Sequence, residues 1–160
     1  MRRRETMGEW LASSHPDPAR VWTEWADSGI AVIPVGRGFG AVRLPEAIVH
    51  AALESADPDR VGSVLDDRLD GPVIHDGRGR NYYPLTATGA QLDWGTTTPG
   101  VEALPPGTHL GVPAPDLDRY SPQTPVYWAA PGHGPRHCPS AAVALLVRVG
   151  TARLAEATPW

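Results

Sequence analysis

One stretch near the middle of the chain restricts the possible folds more than any other. Residues 71–85 read GPVIHDGRGRNYYPL, with two runs rich in β-branched and aromatic residues around the tetrapeptide DGRG at 76–79. Aspartate and glycine favour the positive φ angles of tight turns, so this stretch predicts a β-hairpin. The segments on either side of the hairpin then decide the fold class.

Capping residues, prolines and glycines at helix ends, together with apolar residues at helical spacing, predict helices on both sides of the hairpin. Before it, Asp17 is the expected N-cap of a helix, Pro18 takes the first helical position and Gly29 is the stop. Three further helices are predicted over residues 44–56, 57–69 and 138–157. The second of these three is the weaker one, and the last is an amphipathic helix that closes the chain.

Short apolar runs closed by prolines predict the remaining strands. IAVIPV at 30–35 indicates a buried strand, and residues 100–115 and 124–131 indicate strand edges or ends. The 18 prolines and 17 glycines among 160 residues favour short elements joined by many turns. We therefore expect a flexible segment over 1–15 and one α+β domain over 16–160, with a short-stranded mixed or antiparallel sheet and helices at both ends.

Composition excludes several classes of protein. The net charge of −4 argues against general affinity for duplex DNA, although it leaves room for a local arginine groove. The single cysteine, Cys138, cannot form an internal disulfide. No apolar run approaches the ~20 residues of a membrane span, and the first residues lack the apolar core of a signal peptide. These features predict a cytoplasmic protein that does not bind membranes.

The hairpin also contains the strongest candidates for binding. Arg78 and Arg80 stand beside Asn81, Tyr82 and Tyr83, so cationic forks and aromatic rings occur together. This combination suits phosphate contact and base stacking on single-stranded nucleic acid or a nucleotide. The alternative is an exposed turn kept soluble by its arginines, with one tyrosine in the core and one partly outside.

Two further motifs are weaker candidates. The loop VGRGFG over residues 35–40, helped by Arg37 and Arg43, could cradle phosphate with its backbone amides. It lacks the lysine and hydroxyl residue of a Walker loop, and most such loops are simply tight turns. In PGHGPRHCP at 131–139, His133, His137 and Cys138 are zinc-ligand types, but the intervening Gly and Pro prevent helical convergence.

Asp116 and Asp118 form a D-x-D pair of the kind that holds a divalent metal when it projects from a rigid strand. Pro113 and Pro115 precede the pair, and this flank predicts a surface loop instead. The two aspartates are therefore weak candidates for metal binding.

The order of motifs resembles a known family. GIAVIPVGRGFGAVRLP, GPVIHDGRGRNYYPL, LPPGTHLGVPAP and PVYWAAP follow one another as in small actinobacterial proteins related to the N-terminal domain of bifunctional DNA primase/polymerases, the prim-pol domain. The resemblance covers roughly residues 20–130. It implies a prim-pol-like scaffold and a connection with DNA replication.

The departures from the family decide the expected function. Active prim-pol enzymes carry a D-x-D pair on a buried strand upstream of the hairpin, where this chain has SVLDDRLDGPVI, and Asn81 replaces the family histidine. Two-metal phosphoryl transfer needs carboxylates that hold both ions. The resemblance therefore implies a module without catalytic residues or cofactor that binds single-stranded nucleic acid, a nucleotide or a protein partner.

Two alternatives stay open. One is a metal-dependent nucleotidyltransferase that uses Mg²⁺ or Mn²⁺ at a rearranged acidic site built from Asp66, Asp67, Asp116 or Asp118. The other is a protein-interaction module in which exposed tryptophans, such as Trp94 and Trp128, form the contact surface.

Overall fold

The computed structural model describes residues 6–89, 98–131 and 136–157. Its helices are α1 (Met7–Ser13), α2 (Pro18–Ser28), α3 (Glu46–Leu53), α4 (Pro58–Leu69) and α5 (Ser140–Ala157). Its strands are β1 (Ile30–Pro34), β2 (Gly40–Pro45), β3 (Val73–Asp76), β4 (Asn81–Thr86), β5 (Glu102–Ala103), β6 (His109–Pro113) and β7 (Val126–Ala130). The predicted α+β class is confirmed, and α4, which the sequence indicated more weakly than the other helices, is a full helix of 12 residues.

The strands form two antiparallel sheets. The larger sheet has the order β5-β2-β4-β3-β7, and the smaller one pairs β1 with β6. The predicted hairpin is the β3–β4 pair, in which His75 lies opposite Tyr82. On the other side of β3, His75 lies opposite Tyr127 of β7. The strand order therefore places the hairpin beside β7, so that His75 meets Tyr127, 52 residues later in the sequence.

Apolar residues cover both faces of the larger sheet and create two cores. Alternate side chains of a strand point to opposite faces, so Ile74 joins one core and Val73 joins the other. The first core lies under α1, α2 and the β1–β6 sheet and includes Phe39 and Trp128. The second lies under α3, α4 and α5 and includes Leu65. The sheet is thus the shared middle layer.

The N-terminal region differs from its prediction. Residues 6–15 lie inside the segment expected to be flexible, yet α1 places Trp10 and Leu11 in the first core. A capping box starts this helix, because Thr6 Oγ1 accepts the Glu9 backbone N–H at 3.0 Å and Glu9 Oε1 accepts the Thr6 N–H at 3.4 Å. The T-x-x-E pattern was the sequence signal for this helix. Residues 1–5 lie outside the described part of the chain.

Among the residues described, no helix has both the length and the apolar character that a membrane crossing requires.

Candidate functional site

The hairpin turn holds its two arginines in the solvent. Asp76 Oδ1 accepts the backbone N–H groups of Arg78 and Gly79, each at 3.0 Å, and this fixes the turn. Arg80 follows in the left-handed region at a φ of 60°. Both arginine side chains are exposed, and neither forms an ion pair with another described residue. The turn therefore offers two free guanidinium groups on a rigid support.

The neighbouring tyrosines are less accessible than the binding prediction requires. Tyr82 is only 1% exposed and its hydroxyl lies 2.8 Å from His50 Nε2, so its ring has no free face for a base. Tyr83 is half-buried against the first core. Burial raises the pKa of both tyrosines. Asn81 Nδ2 donates to the Gly79 carbonyl at 3.0 Å, so its side chain supports the turn.

The other two predicted arginines do not join the turn. Arg43 pairs with Glu102 on β5 at 3.6 Å. Arg37 belongs to the loop that leads into Gly40, and Gly40 lies opposite Thr86 at the far end of β4. A strand of six residues spans about 17 Å at ~3.4 Å per residue. Arg37 therefore lies away from the turn, whereas Arg43 lies near Tyr83 with its charge paired to Glu102.

The glycine-rich loop is a tight turn that anchors the first core. Gly36, at a φ of 105°, donates its N–H to the Phe39 carbonyl at 2.8 Å. Phe39 itself is fully buried in the first core. The loop thus has a packing role, which matches the simpler of its two interpretations.

The predicted metal ligands do not converge in the described part of the chain. Asp116 and Asp118 are exposed in the loop after β6, as their proline flank predicts. His137 packs edge-on against Trp10 with ring centroids 5.4 Å apart, and burial raises the pKa of the Cys138 thiol to about 12. His133 lies outside the described residues. No group of three or more described His, Cys, Asp or Glu residues is arranged to hold a metal ion.

A chain of buried and half-buried polar side chains, not expected from the sequence, lies on the side of the sheet that α3, α4 and α5 cover. His75 Nδ1 lies 2.7 Å from the Tyr127 hydroxyl, and His75 Nε2 lies 2.6 Å from Glu46 Oε2. The Tyr82 ring stacks on the His75 ring at 4.1 Å, with 5° between the planes. We call these five residues, Glu46, His50, His75, Tyr82 and Tyr127, the buried polar chain.

The protonation of this chain favours hydrogen bonding over nucleophilic chemistry. Burial, followed by the Glu46 charge, raises the pKa of Tyr127 to about 12, so this phenol stays neutral at pH 7. His75 Nε2–H donates to the Glu46 carboxylate, and the other ring nitrogen is hydrogen-bonded to the Tyr127 hydroxyl. The chain therefore fixes the Tyr127 ring rather than activating its oxygen.

Tyr127 connects the buried polar chain to a cleft. The cleft measures about 250 Å³ and lies between α4 and the loop of residues 118–120. Its polar and aromatic lining includes Asp59, Asp66, Asp118, Arg119, Tyr120 and Tyr127. Tyr120 is 48% exposed and packs edge-on against Tyr127, with ring centroids 5.8 Å apart.

The aromatic part of the cleft lies toward the hairpin turn, whereas Ala129 and Pro131 extend its lining along β7 away from the turn. Gly77 in the turn donates its N–H to the Pro125 carbonyl at 2.9 Å, immediately before β7 begins. Tyr127 lies two residues further along. The arginines of the turn and the aromatic lining of the cleft therefore share one end of the larger sheet.

Trp128 does not form the exposed surface that the protein-interaction alternative assigned to it. It is 1% exposed, and its Nε1–H donates to the Pro113 carbonyl at 3.0 Å. Trp94 lies outside the described residues. The tryptophan that the described surface does expose is Trp22, at 48%.

No protein-family model, curated protein or solved structure matches this chain. The prim-pol resemblance therefore stays a prediction from the order of the motifs.

Proposed function

We propose that this protein is a non-catalytic module that binds single-stranded nucleic acid through the hairpin turn of residues 76–80. The observation that carries the proposal is the pair of exposed guanidinium groups, Arg78 and Arg80, on a turn fixed by Asp76. Guanidinium forks match phosphate oxygens in geometry and charge. The prim-pol-like order of motifs supports the same assignment, and a module of this kind suits the cytoplasmic setting predicted from the sequence.

Charge favours a single strand over a duplex as the ligand. The chain carries a net charge of −4, and the turn supplies only two free arginines, with Arg119 nearby at the edge of the cleft. Duplex binding draws most of its strength from many neutralised phosphates. A single strand can place two phosphates on the turn and keep the rest of its backbone away from the acidic surface.

Fluorescence anisotropy with a labelled single-stranded oligonucleotide tests the proposal. Replacing both turn arginines, Arg78→Ala with Arg80→Ala, should weaken binding about 150-fold or more, because each of the two charged hydrogen bonds contributes about 1.5–3 kcal/mol. The matched control is Arg20→Ala with Arg68→Ala, which removes the same charge from exposed positions away from the turn. The logarithm of the binding constant should fall with the logarithm of salt at a slope of about −1.4 for two phosphates.

Equal loss of affinity in both double variants would mean that net charge alone governs binding, and it would contradict the proposal.

The same titration with and without Mn²⁺ distinguishes the proposed binding module from the enzyme alternative. Asp66 and Asp118, two members of its rearranged acidic site, do line one cleft. Binding that needs Mn²⁺ and disappears in Asp118→Ala, together with nucleotide incorporation, would favour the nucleotidyltransferase.

A further inference from the structure

We infer that the cleft between α4 and residues 118–120 accepts one amino-bearing nucleobase, preferably guanine, from the strand held at the hairpin turn. This inference rests on the proposed function, because it assigns a base to a strand whose phosphates lie on the turn. Three properties of the cleft carry it: its size, its braced aromatic ring and its hydrogen-bonding character.

The size of the cleft suits one ring system. Its volume of about 250 Å³ lies below the ~300–1,000 Å³ of pockets that enclose a drug-sized ligand. The cleft is large enough for one base, and it opens into a second space of about 520 Å³ that Pro58, Asp59, Arg119 and Tyr120 also line. The sugar and phosphate would stay outside, on the side where β7 meets the hairpin turn.

An aromatic ring stands ready for stacking at the edge of the cleft. Tyr120 is half exposed, and the buried Tyr127 ring supports it from behind. Tyr127 is itself held by His75, which is hydrogen-bonded to Glu46. A stacking platform works best when its ring is already fixed, because less side-chain freedom is lost on binding. The buried polar chain thus has a role in the site: it positions the tyrosine pair.

The polar lining selects for bases that donate hydrogen bonds. Asp59, Asp66 and Asp118 are exposed, line the cleft, and form no ion pair with a described residue. An ionised carboxylate only accepts hydrogen bonds. Guanine presents N1–H and its amino group side by side, and cytosine and adenine each present an amino group. Thymine and uracil flank their single N–H with carbonyl oxygens, which these carboxylates repel.

The same charges explain why the base of a nucleotide binds in the cleft while its phosphates bind at the hairpin turn. Carboxylates repel phosphate, so the backbone cannot enter the cleft. Arg119 at the edge of the cleft, together with Arg78 and Arg80 on the turn, offers the backbone positive charge outside it. The base enters alone, and the phosphates on either side of it remain with the arginines.

Calorimetric titration with free nucleosides tests the pocket without any phosphate. Guanosine should bind most tightly, cytidine and adenosine more weakly, and thymidine at least tenfold more weakly than guanosine. Inosine, which lacks the amino group of guanosine, should also bind more weakly. Tyr120→Ala should reduce guanosine affinity roughly 5- to 150-fold, the range that stacking contributes per base, whereas Tyr120→Phe keeps the ring and should bind normally. Asp66→Asn should reduce the preference for guanosine over thymidine.

Oligonucleotides provide the second measurement. Short dC homopolymers should bind more tightly than dT homopolymers of equal length, and Tyr120→Ala should abolish this difference. The inference is overturned if dC and dT homopolymers bind equally, or if no nucleoside perturbs the amide resonances of α4 and residues 118–120.

The double turn variant, Arg78→Ala with Arg80→Ala, should still bind guanosine. If it also binds oligonucleotides as tightly as the unmodified protein, the proposed function fails while the pocket stands.

Discussion

His50 is a residue whose surroundings penalise its charged form. Its Nε2 lies 2.8 Å from the Tyr82 hydroxyl, and its ring centroid lies 6.5 Å from that of His75. Burial lowers the pKa of His50 below its ordinary 6.5, the nearby His75 lowers it further, and the Glu46 carboxylate opposes both effects. A protonated His50 is therefore less favourable in the folded chain than in the unfolded one.

We expect the stability of the protein to fall as the pH drops below about 6.5. Between the unfolded and the lower folded pKa of His50, the unfolded state binds more protons, so the free energy of unfolding decreases with decreasing pH. His50→Gln keeps a hydrogen-bonding side chain next to Tyr82 but does not titrate. Urea unfolding of this variant at pH 7 and pH 5 should show a smaller decrease than the unmodified protein shows.

The exposed His109 provides the control for this experiment. His109→Gln removes a histidine without changing the buried polar chain and should keep the full pH dependence. An identical decrease in the His50 and His109 variants would show that His50 does not account for the pH dependence.

Single residues also show why the site was only partly predictable. Alternation along NYYPL implies that Tyr82 and Tyr83 face opposite sides of the sheet, but it does not say how deeply each side is covered. Helices α3, α4 and α5 cover the Tyr82 side, so the tyrosine nearer the arginines is the inaccessible one. The exposure of Arg78 and Arg80, in contrast, follows from the local turn sequence and was foreseeable.

At the scale of elements, α3 and α5 approach each other closely at one glycine. A Cβ added at Gly150 of α5 would overlap the carbonyl oxygen of Ile48 in α3. This close approach brings Val143, Leu146 and Val147 of α5 into the second core. Backbone oxygen cannot rotate away as a side chain can, so the contact limits residue 150 to glycine.

Gly150→Ala should therefore destabilise the protein by about 1–3 kcal/mol, as overpacking does. Helix propensity alone predicts the opposite, because alanine is favoured over glycine by about 1 kcal/mol in a helix interior. The sign of the change in urea unfolding distinguishes the two effects. Ala152→Gly, at an exposed position of the same helix, should cost about 1 kcal/mol through propensity only. Stabilisation by Gly150→Ala would refute the close contact.

Elements with strong local signals were predictable, and their arrangement was not. The hairpin, α2 and α5 depend on turn residues, caps and breakers that lie within each segment. The buried polar chain joins residues 46, 75 and 127, and their proximity depends on the strand order β2-β4-β3-β7. Periodicity gives the face on which a strand residue lies but gives no information about its neighbouring strand, so this site was not visible in the sequence.

At the scale of the whole molecule, one sheet separates two cores and belongs to both. Trp10, Trp25 and Trp128 lie in the first core, whereas the described part of the second core contains no tryptophan. Helices α3, α4 and α5 lie over the second core. Tryptophan fluorescence and far-ultraviolet circular dichroism therefore report mainly on different halves of the protein.

We expect both signals to follow a single unfolding transition. The sheet forms one wall of each core, so if the sheet unfolds, the apolar side chains of both cores are exposed to water. Leu65→Ala, in the second core, should reduce the free energy of unfolding by about 2–5 kcal/mol. The same decrease should be measured by the tryptophan fluorescence of the first core and by circular dichroism. Phe39→Ala provides the reciprocal change in the first core. Separate midpoints for the two signals would show that the halves unfold independently.

The pairing of β1 with β6 also affects how the chain folds during synthesis. Ile30 pairs with Pro113, so at ~5–20 residues per second the apolar strand β1 leaves the ribosome roughly 4–17 s before its partner exists. During that interval α2 is its available cover, and in the folded protein Glu24 Oε1 of this helix accepts the Val32 N–H at 3.0 Å. A nascent chain that pauses before residue 113 is therefore a chain with an unpaired apolar strand, and it is at this stage that chaperones would bind it.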